Sequence, residues 1–597
     1  MLGKKFAFGV NYFSDEMWHS FDEKATEKDF ALLSGAGIRY IRLLPVWKEF
    51  QPIKEQDRWA GKHFAVAYED GTPLDNSPEG DAGVSPVMMN RLETVMNLCK
   101  KYGLKVELTL FCCAVNGQNT VPSYLENRNI FTDPTALMWE QKFIKYIVTR
   151  FKDHVSLSGF CIGEKYSAIK NINGNVAAQY SWTLMVCNAI RAIDDTHPVV
   201  SGLSSLATES MNPETASFWQ LHFHAECVDM LTVHPKKVFG AYRNNTMRPI
   251  LSSCAVNNML EDIGEKPCFI EKTDFDGKNA DCKADYVRGD LLSCYLHHCN
   301  GYFLSGELKE EAVFKEIKKT VTALSKIDMP KHNCDAVCVM PHNLQKGQRL
   351  ATNVMCLSTQ NDLGVSYCCA AKELSHGKLY IVPLAEENST LSKNAVERLI
   401  DKARQGATVF VSVGSTFFKG LGVLADDELI ARQDSTSTLC VNIDGTELPV
   451  VARYAYRLKN INGKVLASFS DGTPAIVSRK FGNGKIIISL FSVEAQVARL
   501  KGAFDRNDTP SYHKVYSLIM KSAGLKPSVY TDNIYVCAKE HKIDEKRSII
   551  SLMNYHDSEQ KYTVGATFAY HVRKVLYGTL DGNLKNNDAV IFEIEKY

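Results

Sequence analysis

Over the first ~320 residues, short apolar runs alternate with amphipathic helical stretches, and this constrains the fold more than any other feature. A parallel strand cannot turn straight back onto its neighbour, so a helix must carry the chain across the sheet before the next strand can pair. FAFGVNY reads as the first strand. It is followed by the helix FDEKATEKDFALLSGAG, which stops at its glycines. IRYIRLLPVW is the second strand. MNRLETVMNLCKKYG is a helix with Leu92, Val95, Met96 and Cys99 on one stripe. LKVELTLFCCAV and LSGFCIGE are strands three and four, with the helix ALMWEQKFIKYIVTRF between them. HPVVSGL, VDMLTVHP, KPCFIEK and GYFLSGE fit strands five to eight. Eight such units predict an α/β (β/α)8 TIM barrel over 1–330. The stretch between Gln51 and Ser85 is rich in Gly, Asp and Pro and follows strand two, so it is expected over the C-terminal, functional face.

A barrel does not use the whole of 597 residues. KLYIVPLA, LSKNAVERLIDKARQG and ATVFVSVG form a strand–helix–strand unit of an open α/β domain, expected over 331–525. PAIVSRKF and KIIISLF make a hairpin turned at Gly482–Asn483–Gly484. SIISLMNYH, KYTVGATF and VIFEIEKY predict a small antiparallel β-sandwich over 526–597. A formal net charge of +1 supplies no case for nucleic acid or an anionic membrane. No window approaches 18 apolar residues, so no membrane span is expected. The opening MLGKKFAFGVNYF lacks an export signal's apolar stretch. The 18 cysteines are scattered and without CxxC pairs, which fits buried thiols in a cytoplasmic protein. His222 and His224 have the spacing of a metal pair on a strand but no third ligand, so no metal or other cofactor is expected. His297 and His298 read as helix residues.

Five segments, in order and spacing, resemble one group of proteins. They are IRLLPVWKEFQP, LTLFCCAVNGQNTVPSYLENRNIFTDP, RFKDHVSLSGF, DMLTVHP and PAIVSRKFGNGK. The chain resembles clan-A retaining glycoside hydrolases, in particular the trimeric family-42-type β-galactosidases and related β-mannosidase-like enzymes, along essentially its whole length. The resemblance implies a catalytic-type barrel, an amidotransferase-like α/β trimerisation domain and a C-terminal β domain. It also implies a carbohydrate ligand and a homo-oligomer. The second domain holds no Cys-His-Glu set of an active amidotransferase, which fits a subunit-contact role.

Retaining hydrolysis needs one carboxyl to protonate the leaving oxygen and another to attack the anomeric carbon. In the resemblance, a strand-four Asn-Glu pair supplies the acid/base and a strand-seven Glu the nucleophile. Glu164-Lys165 stands at the first position and Lys272, preceded by Glu271, at the second. Strand parity places Lys272 inward with Ile270 and sends Glu271 towards the helices, unless a bulge intervenes. Substrate-type positions are Arg42, Trp47, Gln118, Asn119, Lys165, His234, Lys272 and Glu307. Two readings follow. One is a retaining-type glycosidase for a galactoside- or mannoside-like, acidic or unusual substrate, with Glu164 and a second carboxylate (Glu271, Asp274 or Glu307) as displaced catalytic groups. The other is an inactive pseudo-glycosidase that binds a sugar or anion in the barrel mouth through Lys165 and Lys272.

Overall fold

The computed structural model describes residues 6–12, 18–56, 65–115, 118–166, 176–203, 221–235, 247–271, 280–305, 310–340, 347–384, 391–413, 429–433, 439–450, 455–458, 463–499 and 511–597. The chain divides into two compact units. One is Met1–Lys236, Gly264–Asp274 and Cys299–Ser325; the other is Lys237–Ile263, Phe275–His298 and Lys326–Tyr597.

The first unit is built on eight parallel strands: β1 (Ala7–Tyr12), β2 (Tyr40–Leu43), β3 (Lys105–Cys112), β4 (Leu157–Glu164), β5 (Val199–Val200), β6 (Leu231–Val233), β7 (Cys268–Ile270) and β8 (Gly301–Leu304). They pair in the order β6-β7-β8-β1-β2-β3-β4-β5. A parallel bridge from Val200 to Met230 closes the ring into the expected TIM barrel. Ala7, Cys161, Val200, Met230, Phe269 and Phe303 pack as one buried cluster. Gly9 makes room for it, because a Cβ there would lie 2.6 Å from the Phe303 ring.

The connecting helices start where local chemistry dictates. Asp22 accepts from the Ala25 amide, Ser85 from Met88, and Asp133 from Thr135 and Ala136, each satisfying otherwise orphaned donors. Pro86 and Pro134 occupy first turns, where no amide hydrogen is needed. After β2 the chain forms the hairpin Ile53–Gln56 with Ala65–Tyr68 and the short helix Pro78–Ala82. His222 and His224 lie on the helix Leu221–Cys227, so the metal-pair spacing expected on a strand is not realised. Two residues apart on a helix face different directions.

The second unit contains a nine-stranded sheet. Ala336–Met340, Val365–Cys369, Leu379–Leu384, Thr408–Val413 and Gly484–Ser489 run parallel in it. Pro474–Phe481 then turns back against Gly484–Ser489 through Gly482, whose φ of +52° suits a tight hairpin. The C-terminal part is a four-stranded antiparallel sheet. Its apolar face, with Val536, Ile550, Leu552, Val590 and Phe592, packs on Val529, Tyr562 and Leu584 from two short strand pairs. Asp362 joins this β domain to the α/β domain by accepting from the amides of Thr531 (3.2 Å) and Ala538 (2.6 Å). The described cysteines are free thiols, nearly all buried. No described helix is long and apolar enough to cross a membrane.

Candidate active site

Among the described residues of the barrel interior, a buried arginine is surrounded by carboxyls. Arg42, in the middle of the apolar strand β2, is 1% exposed. Its Nε donates to Glu107 of β3 (3.1 Å) and its Nη1 to Glu164 at the end of β4 (2.8 Å). Its Nη2 forms an ion pair with Glu271, the residue directly after β7, and contacts the Cys161 thiol at 3.4 Å. Glu107, Glu164 and Glu271 are 0%, 7% and 1% exposed. Glu164 and Glu271, held by the two Nη atoms of one guanidinium, are close enough for their charges to interact. Asn11 of β1 ties the strand ends together. Its amide donates to the backbone oxygens of Glu271 (2.6 Å) and Leu304 (3.3 Å), and its Oδ1 accepts from Arg42 (3.4 Å).

Five strands therefore deliver polar side chains to one point. Buried charges persist only when paired, and a guanidinium is suited to this because its donors fan out in a rigid plane. Crowding three buried carboxyls around one guanidinium favours holding protons on some of them. Burial pushes the Glu271 carboxyl up to about 8; Arg42 opposes this, while Glu164 and Glu107 add to it. Burial also raises Glu107, against Arg42. At Glu164 burial is outweighed by the charge and hydrogen bond of Arg42 and by the nearby Lys165, which leave its carboxyl below the ordinary value. The environments push the two carboxyls apart, Glu164 downwards and Glu271 upwards.

Two sequence expectations change here. Glu271 faces the barrel interior, not the helix layer. Parity holds but its phase was misjudged: Phe269 packs inside, 5.1 Å from the Phe303 ring, and Glu271 two residues on shares that side. Trp47 does not line the mouth. It is fully buried, donates to Gln51 (2.8 Å) and packs on Phe111, which in turn neighbours Phe143 and Trp182 of the surrounding helices.

The other expected residues divide as follows. Lys165 follows β4 at φ +54°, a left-handed conformation that costs a lysine about 1 kcal/mol, and its charge reaches Glu164. Gln118 and Asn119 are exposed on a two-residue strand paired with Ala114–Val115, and the Asn119 Oδ1 accepts from the Val121 amide. His234 is half-buried just after β6, beside the backbone bond from the Glu271 amide to Val233. Lys272, Asp274 and Glu307 lie outside the described residues. Glu107 and Asn11 were not singled out from sequence. Their signal was a lone polar residue inside an apolar strand, in KVELTLFCC and FAFGVNY, which requires a buried partner.

No family model and no curated protein matches the chain. Solved structures do. The exo-β-1,4-mannosidase Op5Man5 from Opitutaceae bacterium strain TAV5 is 15% identical, with a TM-score of 0.68 over 86% of this chain and 96% of that one. The GH42 β-galactosidase Gan42B is 12% identical, with a TM-score of 0.69 over 98% of each chain. A β-galactosidase from Rahnella sp. R3 is 11% identical, with a TM-score of 0.71 over 100% of this chain and 99% of that one. The chain has the fold of these glycoside hydrolases from end to end.

Proposed function

We propose that this chain is a retaining-type glycoside hydrolase acting on a β-linked glycoside, with Glu164 and Glu271 as its carboxyl pair. The observation that carries the reading is their meeting on one buried guanidinium, in environments that lower one carboxyl and raise the other. Two carboxyls whose environments push their pKa values apart can divide the acid and nucleophile roles. Glu164 attacks the anomeric carbon while the Glu271 proton passes to the leaving glycosidic oxygen. Glu271, now a carboxylate, then takes a proton from water, and the water oxygen displaces Glu164 from the glycosyl ester. This ordering reverses the strand roles that the sequence resemblance implies. Arg42 holds both carboxyls, and Lys165 at the rim favours an acidic substituent on the sugar. The galactosidase and mannosidase likenesses make those two glycosides the first substrates to try. A homotrimer in the cytoplasm belongs to the same reading.

A second reading rests on a specific observation. Retention needs carboxyls ~5–5.5 Å apart with a sugar between them, and here both are tied to one buried guanidinium. If no sugar parts them, the barrel is a pseudo-glycosidase that binds a sugar or anion. Hydrolysis of aryl β-galactoside, mannoside, glucoside and glucuronide separates the readings, with Glu164→Gln and Glu271→Gln as controls. Turnover that either substitution lowers at least ~100-fold supports the pair. Turnover unchanged by both refutes it, and binding of these sugars without turnover establishes the second reading.

A further inference from the structure

The second unit contains a cluster of imidazoles that the barrel chemistry does not use. His298 follows the helix Ala280–Leu296, His332 lies in the segment leading to Ala336–Met340, and His541 sits on the strand Val536–Lys542. One ring nitrogen from each falls within 4.8 Å of the other two. The His298 Nε2 and His541 Nδ1 are 3.2 Å apart. Two nitrogens bound to one tetrahedral zinc at ~2.0–2.1 Å lie roughly 3.3–3.4 Å apart, so this pair already has nearly the spacing of two edge ligands. The His332 Nδ1 is buried and has no hydrogen-bond partner among the described residues, a cost that a network complete in itself would not leave. The Cys334 thiol lies 3.7 Å from the other ring nitrogen, Nε2, and holds the ring from the far side.

We infer that His298, His332 and His541 form a three-histidine binding site for a zinc-class divalent transition metal, its remaining position open to water. The His298 Nε2 accepts from the His332 backbone amide (3.2 Å), so it presents a lone pair to the cluster, which a metal would take over from that hydrogen bond. The outer contacts fit as well. The His541 Nε2 is 3.0 Å from the Ser551 hydroxyl, which would fix the ring while Nδ1 binds the metal. The Pro330 carbonyl, 2.9 Å from that Nδ1, holds its proton when no metal is bound and must give way or join as an oxygen ligand when one is. Lys539, 7% exposed and 3.0 Å from the His297 Nδ1, places a positive charge nearby and weakens the site. The three ligands come from segments far apart in sequence. A bound metal would therefore brace the C-terminal β domain against the chain around 298 and 332, a structural role.

The test is metal analysis of the full-length, untagged protein after dialysis against zinc, alongside His332→Ala and Lys539→Met. One zinc per chain is expected in the parent, with affinity reduced at least tenfold in His332→Ala and raised in Lys539→Met. Cobalt(II) loaded into the parent should give intense visible bands of tetrahedral coordination, a readout that needs no variant to fold. A parent without stoichiometric zinc, or zinc content that His332→Ala leaves unchanged, overturns the site and leaves a hydrogen-bonded histidine network. Hydrolysis by the barrel is a separate readout, and neither result bears on it.

Discussion

Replacing Arg42 by Met tests whether the barrel cluster is a charge-balanced unit. The side chain is 1% exposed and holds Glu107, Glu164 and Glu271 at once, so a methionine of similar length fills the space but leaves three buried carboxyls without a cation. Removing one partner of a buried ion pair costs about 3–5 kcal/mol. The same range is expected at pH 8, because the carboxyls relieve part of the loss by holding protons. Folded carboxyls whose pKa lies above the unfolded value of about 4.3 favour the native state at low pH, and that advantage is lost as pH rises towards the folded pKa. The deficit should therefore shrink between pH 8 and pH 5. All six tryptophans lie within the first 219 residues, so intrinsic fluorescence during urea unfolding reports on the barrel segment alone. Adding Glu107→Leu to Arg42→Met should recover part of the loss, since it removes one orphaned carboxyl. A cost below about 1 kcal/mol at pH 8, or one independent of pH, would refute the reasoning.

In a pH profile of hydrolysis, kcat/KM should fall above about pH 8, where Glu271 loses the proton it must donate. The acid limb should lie below the ordinary carboxylate range, because the Glu164 pKa is lowered. A basic limb that Glu271→Gln leaves in place would remove Glu271 from the acid role. Lys165→Gly should raise barrel stability by up to about 1 kcal/mol by relieving the left-handed backbone, whereas Lys165→Ala should not. If the lysine also recognises an acidic substituent, both changes raise KM for a glucuronide and leave that for a galactoside unaltered.

The barrel was legible because each strand is an apolar run and each crossover a striped helix, patterns set by local burial. The same holds for the hairpin at Gly482 and the strands of the C-terminal sheet. The site was only half legible. Arg42 and Glu164 were found through the resemblance at strands two and four, but β7 is three residues long, too short for its apolar pattern to fix which side faces in. The inward face there is decided by Phe269 meeting Phe303, a contact from another strand that β7 itself does not encode. Trp47 was misplaced for a related reason. An aromatic after a strand can serve a sugar or a helix layer, and Phe111 on β3 makes the choice. The histidine cluster was illegible because its three members are separated by tens to hundreds of residues and meet only after the second unit folds.

The most direct test of the central claim is to trap the glycosyl-enzyme with a 2-fluoro-glycoside of whichever sugar is turned over and to map the labelled peptide by mass spectrometry. The account expects one glycosyl unit on the peptide containing Glu164, absent in Glu164→Gln. A label on any other residue, or steady turnover that survives loss of both Glu164 and Glu271, would contradict it.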